Sequence, residues 1–263
     1  MDFTAATPGT FAGWLRRSVW ARRVVVGAAA IGAGMWVWSA LPHDDLPDFS
    51  RYSDTTEKKE AFFGFLLPHI RAVNEAILQD RRRLLGIRDK LARDGGAGFF
   101  DERWLRDLAE AYGLELPERL DAAFADRVLL RVDVIAPSLV LAQAANESAW
   151  GTSRFARHGN NLFGMRTYDG DGMVPRKRAA GKKFKVATYP SIRDSIAAYM
   201  QNLNTHYRYR RMRLIRADLR RQERAISGHA LANGLLAYST LGAEYVSIIQ
   251  SMIRTNELTK YDE

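Results

Sequence analysis

Residues 137–166 read PSLVLAQAANESAWGTSRFARHGNNLFGMR, and the rest of the chain is best understood outward from them. Ala136-Pro137-Ser138 marks a helix start, because proline has a pre-set φ and loses no needed amide hydrogen in a first turn. The helix then runs through LVLAQAANESAW. At about 100° per residue, Leu141, Ala144 and Ser148 fall together, Val140 and Ala145 flank them, and Glu147 sits at the border of that small buried face. A carboxyl group there is half withdrawn from water. Burial disfavours its charged form and raises its pKa, as a general acid working near neutral pH requires. Trp150-Gly151 ends the helix just beyond, which sets the acid at a helix end beside an aromatic wall. Taken alone, a glutamate in such a place is more often a solvated surface residue.

Beyond Gly151 the pattern loosens into Gly, Asn and Asp punctuation as far as about residue 184, which reads as a short hairpin. An amphipathic helix over 192–206 follows, then an arginine-rich helix over about 209–227 and a last helix over about 242–255. Upstream, residues 58–93 carry a helical pattern interrupted at Pro68, with Phe62, Phe65, Leu66, Ile70, Val73, Ile77, Leu84 and Leu85 at three- and four-residue steps. Gly95, Gly96 and Gly98 stop it, and helices over about 101–112 and 117–131 come next.

The composition of the 263 residues, 47% apolar and 26% charged, is that of a globular protein. Cysteine is absent, which excludes a disulfide scaffold, a thiol nucleophile and a Cys-based zinc site. The five histidines show no paired metal spacing, and neither a metal nor a nucleotide cofactor is expected. The net charge is +9, and four arginines (Arg16, Arg17, Arg22, Arg23) against Asp2 supply three of those charges before residue 42. They precede VVVGAAAIGAGMWVWSAL, an uncharged run over 24–41. This pattern fits a helix that barely spans a bilayer, with residues 1–23 in the cytoplasm and the rest across the inner membrane. A cleaved signal peptide and a buried core helix compete with the signal-anchor reading. Residues 42–57, with Pro42 and Pro47, read as a polar linker.

Larger strings carry a resemblance. AQAANESAWGTSRFA followed by NNLFGM, then FKVATYPSIRDSIAAYMQNLNTH and LLAYSTLGAEYVSIIQSMI, resemble the glucosaminidase domain of glycoside hydrolase family 73 in the lysozyme-like superfamily. KKEAFFGFLLP, with Asn74 and Arg81 beyond it, resembles the N-terminal extension of the Bax-type members of that group. The resemblance implies a mostly helical α+β fold, a lysozyme-like glucosaminidase domain with a small β-hairpin lobe over 132–263, preceded by a helical extension over 58–131. It implies a peptidoglycan hydrolase, a β-N-acetylglucosaminidase acting on glycan strands in the periplasm. Residue by residue it puts the general acid on Glu147 and a sugar-contacting or intermediate-stabilising tyrosine on Tyr238. It puts substrate-binding positions at Trp150, at the turn Asn161, Leu162, Phe163 and Gly164, and at Tyr245.

Core packing with a satisfied hydroxyl is the competing account of Tyr238 and Tyr245, and a turn bonding its own backbone is that of Asn161. Many members of the family carry a second carboxylate in the hairpin lobe. Here residues 168–190 contain Asp169 and Asp171 but no Glu, so a two-carboxylate inverting mechanism is in doubt. Substrate assistance by the acetamido group is the remaining route; Asp171 is a candidate base, for which exposure in a loop is the better account. Rival functions are a muramidase or lytic transglycosylase on the same fold and a non-catalytic cell-wall binding protein. Nucleic acid is not an expected partner: in the arginine-rich run Met212, Ile215 and Leu219 recur at helical spacing, which reads as an amphipathic helix with a solvated basic face.

Overall fold

The computed structural model describes residues 45–168, 170–176, 178, 181 and 183–262. The cytoplasmic stretch expected at 1–23 and the membrane span expected at 24–41 lie outside them. The long apolar stripe folds as α1 (Thr55–Asp94), started by Asp54, whose side chain accepts a hydrogen bond from the Glu57 amide, and ended at Gly95 in the left-handed region. At 1.5 Å per residue it is about 60 Å long.

The break expected at Pro68 does not occur: the helix runs through it. An internal proline costs about 3 kcal/mol, but Phe62, Phe63 and Leu66 before it and Ile70, Val73 and Ile77 after it are all buried in one core. Packing on both sides of the proline outweighs the lost backbone bond. This is also the one described helix long and apolar enough to cross a membrane. Its apolar residues face the protein core, and Arg81, Arg82 and Arg83 interrupt its second half.

Helices α2 (Phe99–Ala111) and α3 (Ala122–Leu129) follow, and α1 packs on both. The expected helix over 117–131 is shorter because Asp121 caps it, its carboxylate accepting from the Phe124 amide at 2.7 Å. Helix α4 (Pro137–Ser148) lies at the centre, touching α1 and two C-terminal helices, α8 (Gly228–Ala232) and α9 (Ala243–Thr255). Asp262 ties the chain end to this helix. Its carboxylate accepts from the amide and hydroxyl of Ser138 and from the Gly228 amide, at 2.8, 2.6 and 3.0 Å, so one side chain serves the starts of α4 and α8.

Helix α5 (Arg154–Gly159) leads into the β-lobe, which is a three-stranded antiparallel sheet rather than a hairpin: β1 (Arg166–Thr167), β2 (Gly172–Met173) and β3 (Lys185–Ala187), in the order β1-β3-β2. Strands of two or three residues leave too little alternation to read from sequence. Helices α6 (Ile192–Thr205) and α7 (Arg210–Arg221) complete the fold. The segment expected as a polar linker also contributes, since Phe49 is buried against Phe62 and Phe65.

Helix α7 departs from the expected solvated basic face, because Arg213 and Arg216 are buried. For Arg216 the cause lies at the C-terminal end of α3, where successive carbonyls have no helical partner, and for Arg213 at the end of α6, where it donates to the Leu203 and His206 carbonyls. Arg216 donates to the carbonyls of Leu130, Asp133 and Val134 and to Asn204 Oδ1 at 2.7–3.1 Å, and Arg81 donates to those of Leu129 and Val132 at 2.7 and 2.8 Å. Helix α7 meets α8 at a close contact. A Cβ on Gly234 would lie 2.3 Å from Met212 Cα and 2.4 Å from Met212 N. Gly234→Ala is therefore expected to cost about 1–3 kcal/mol or more, read as a lower denaturation midpoint; an unchanged midpoint would show that the two segments part freely.

Candidate active site

Glu147 occupies the last turn of α4, partly exposed, between exposed Asn146 and fully buried Ser148. The helix stops there in an uncommon way. Ala149, Trp150 and Gly151 have φ of 51°, 60° and 75°, three successive residues in the left-handed region, two of them with side chains. That conformation is strained for non-glycine residues and survives where surroundings over-determine it. Ser148 supplies one clamp, its hydroxyl donating to the Ala144 carbonyl at 2.6 Å and accepting from the Gly151 amide at 2.7 Å. The extension supplies the other. Trp150 lies edge-on to Phe62 and Phe63 of α1, with centroids 5.7 and 5.4 Å away, and the Lys59 ammonium sits 5.5 Å over its ring. Gly151 leaves room for Phe49, whose Cδ2 would stand 2.8 Å from an added Cβ. Residues before 58 and in α1 thus build the turn that presents Glu147.

The carboxylate is held by a chain of hydrogen bonds. The Tyr245 hydroxyl, from α9, donates to Glu147 Oε1 at 2.8 Å and accepts from Gln143 Nε2 at 2.9 Å. The Tyr199 hydroxyl, from α6, donates to Gln143 Oε1. Asn146 Nδ2 donates to Glu147 Oε1 at 3.1 Å. Burial is the largest influence on Glu147 and raises its pKa; the bonds from Tyr245 and Asn146 act the other way without cancelling it. Such a carboxyl retains a proton above the usual range and can deliver it to a leaving oxygen. Burial also keeps the Tyr199, Tyr238 and Tyr245 hydroxyls protonated, far from their ordinary titration range.

Tyr238 stacks on Tyr245, centroids 5.2 Å apart and planes 13° apart, and its hydroxyl donates to the Phe163 carbonyl at 3.2 Å. The turn holding Phe163 is built from inside. Asn161 Nδ2 donates to the carbonyls of Met165 and Ala187, and its Oδ1 accepts from the amides of Phe163 and Met165. Asn161 is buried with its amide engaged in the turn, Leu162 is buried, and Phe163 is buried face to face with Tyr199 at 3.9 Å. Gly164, at φ 65°, closes the turn. What this segment offers is the shape and the backbone under Tyr238.

Asp171 stands apart. It is exposed at the start of β2, its backbone carbonyl accepts from the Thr188 amide, and its side chain makes none of the hydrogen bonds of the Glu147 cluster. Among the described residues no group of three or more His, Asp or Glu side chains is placed to hold a metal ion. Gln143, Tyr199 and Asn146 went unnoticed in the sequence. Gln143 carried a signal, since a polar residue four positions before Glu147 on a buried face must bond to something buried.

Comparison with known proteins bears on what this arrangement serves. The profile of the glucosaminidase family, described as mannosyl-glycoprotein endo-beta-N-acetylglucosaminidase, matches residues 122–258. The chain belongs to this family. The match runs from the start of α3 and contains every residue of the Glu147 cluster. The chain is also 34% identical over 212 residues to the protein named Bax of Escherichia coli K12, covering 81% of this chain and 74% of that one. The catalytic domain of the autolysin Auto from Listeria monocytogenes is similar at 19% identity and a TM-score of 0.40, over 87% of this chain and 94% of that one. Membership makes the protein a glycoside hydrolase of the glucosaminidase family.

Proposed function

We propose that the protein is a peptidoglycan hydrolase, an endo-β-N-acetylglucosaminidase whose general acid is Glu147, anchored in the inner membrane by residues 24–41 with its catalytic domain in the periplasm. The observation that carries this reading is the partly buried Glu147 carboxyl, raised in pKa and fixed by Tyr245 at a strained helix end inside a glucosaminidase-family domain. Substrate class follows from the family and from charge. After the four N-terminal arginines are assigned to topology, the rest of the chain is still cationic and suits an anionic cell-wall polymer.

Residues 168–190 offer Asp169 and Asp171 but no Glu, which favours substrate assistance, with the acetamido group of the substrate as the nucleophile. Its carbonyl oxygen attacks C1 as Glu147 passes its proton to the departing glycosidic oxygen, and the C1–oxygen bond breaks. Water then adds to C1, returns a proton to Glu147, and reopens the oxazoline-type intermediate to the acetamide. Tyr245 holds the carboxylate formed in the first step, and the buried Tyr238 ring stacked on it keeps Tyr245 in place. A glycan oligomer carrying N-trifluoroacetyl in place of N-acetyl, a poorer nucleophile, is expected to be cut at least about tenfold more slowly. Equal rates would overturn substrate assistance.

Tyr245→Phe tests the role of the tyrosine. Its hydroxyl favours the charged form of Glu147, so removal raises the carboxyl pKa further. A general acid is lost as pH rises through its pKa, so the alkaline limb of the lytic rate moves to higher pH while the maximal rate falls. A limb that stays in place separates Tyr245 from Glu147.

A further inference from the structure

The arginine-rich run takes no part in the Glu147 cluster, and its inner face opens on a cavity of about 300 Å³ walled by α1, α3 and α7. Arg81 and Arg88 from α1 and Arg213, Arg216, Arg220 and Arg221 from α7 line it, six guanidinium groups in all. The carboxylates in the lining are those of Asp126 and Asp133. Asp133 is already engaged: Arg220 grips it with two bonds of 2.7 and 2.6 Å, and Arg81 and Arg216 stand 3.4 and 3.8 Å away. Asp126 is exposed and 3.7 Å from Arg88. Outside the lining, Asp89 pairs with Arg88 and Asp218 with Arg221, at 2.6 and 2.8 Å, so the six guanidinium groups still outnumber the carboxylates that meet them.

Structural duty explains part of the excess. Arg81 and Arg216 serve the carbonyls beyond α3, as described above. Arg213 has a similar duty at the end of α6, which leaves one of its donors over. That side chain is 3% exposed, and one of its terminal nitrogens donates to the carbonyls of Leu203 and His206, both at 2.9 Å. Its Nε is buried with no acceptor. Burial first, and then its charged neighbours Arg131, Arg216 and Arg210, all cations, push it down to about 10. A buried cation with a spare donor and no anion is an arrangement proteins normally complete.

We propose that this cavity binds a phosphoryl group, free or carried as a monoester on a small organic body. A phosphate monoester brings roughly two negative charges and three acceptor oxygens, against one charge and two oxygens for a carboxylate, and guanidinium groups match its geometry. Leu85, Leu129, Leu130 and Ala217 form the apolar part of the lining and leave space for an organic body. The site is distinct from the Glu147 cluster. Asp133 precedes α4 and Glu147 ends it, a helix of about 18 Å by its rise, so the proposal goes beyond the glycosidase reading and does not depend on it. Because both α1 and α7 supply donors, the bound anion joins the extension to the family domain.

The test is calorimetric titration and thermal denaturation of the full-length chain in non-ionic detergent, with inorganic phosphate and glycerol 3-phosphate as probes, ionic strength held with sodium chloride and acetate as control. Saturable one-to-one binding and a raised melting temperature are expected with both phosphates and with neither chloride nor acetate. Tighter binding of glycerol 3-phosphate identifies the monoester as the better occupant. Arg213→Gln is expected to weaken binding about tenfold or more. Since that change also removes two carbonyl contacts, the doubly substituted Arg88→Gln, Arg221→Gln chain serves as a second probe: it loses only exposed pairs with Asp89, Asp126 and Asp218, which add little to stability, so several-fold weaker binding with a little-changed melting temperature without phosphate is expected. A response that never saturates and follows ionic strength, acetate binding as tightly as phosphate, or undiminished binding by both altered chains overturns the proposal.

Discussion

Glu147→Gln is expected to slow glycan cleavage about 10²–10⁴-fold and to leave the fold intact. Glutamine has the shape of glutamate and its carbonyl oxygen can still accept the 2.8 Å bond from Tyr245, so the cluster that positions it persists. What is lost is the transferable proton. Clearing of purified sacculi in a turbidity assay measures the effect, and circular dichroism with a thermal midpoint confirms folding. The wild-type enzyme should lose activity as pH rises through the raised pKa of Glu147, because only the protonated form can act on the leaving oxygen. An altered chain that clears sacculi at the wild-type rate would remove Glu147 from the chemistry.

Asp133→Asn is expected to produce the largest loss of stability. Asp133 is buried among Arg81, Arg216 and Arg220. Burial alone works to raise its pKa, yet the bonds from Arg220 and the charges of Arg216 and Arg81 outweigh it and hold the carboxyl below its ordinary value. Removing the charge leaves three cations facing one another in a place with little water, a change of about 3–5 kcal/mol. The sign with pH is fixed by the depressed folded value. Stability from this group is complete above the unfolded value of about 3.9 and is lost as pH falls through the lower folded one, so the altered chain should show less acid dependence as well as a lower denaturation midpoint. A midpoint within about 0.5 kcal/mol of wild type, the range of an ordinary surface change, would mean that Asp133 does not tie α1 to α7.

How much of this could be read without coordinates depends on the range of each interaction. The start of α4 at Pro137 and the partly buried place of Glu147 were legible because both are set within one helical turn or one helical face. The continuation of α1 through Pro68 was not, since local propensity opposes it and only packing far along the chain reverses it. Arg216 misled for a related reason: arginine at helical spacing reads as a wet face, but the carbonyls it serves lie more than eighty residues earlier. The part Asn161 and Phe163 play in building the turn was not legible, because their partners Ala187 and Tyr199 lie far along the chain. Trp150 was legible as the aromatic residue that ends the helix, whereas its packing on Phe62 and Phe63 emerged only with the fold.

The measurement that bears most directly on the central claim is mass spectrometry of the soluble fragments released from purified sacculi by the wild-type chain, with the Glu147→Gln chain alongside. Cleavage by an N-acetylglucosaminidase using Glu147 yields fragments ending in reducing N-acetylglucosamine from the first and essentially none from the second. Fragments ending in anhydro-N-acetylmuramic acid, or identical fragments from both chains, would contradict it.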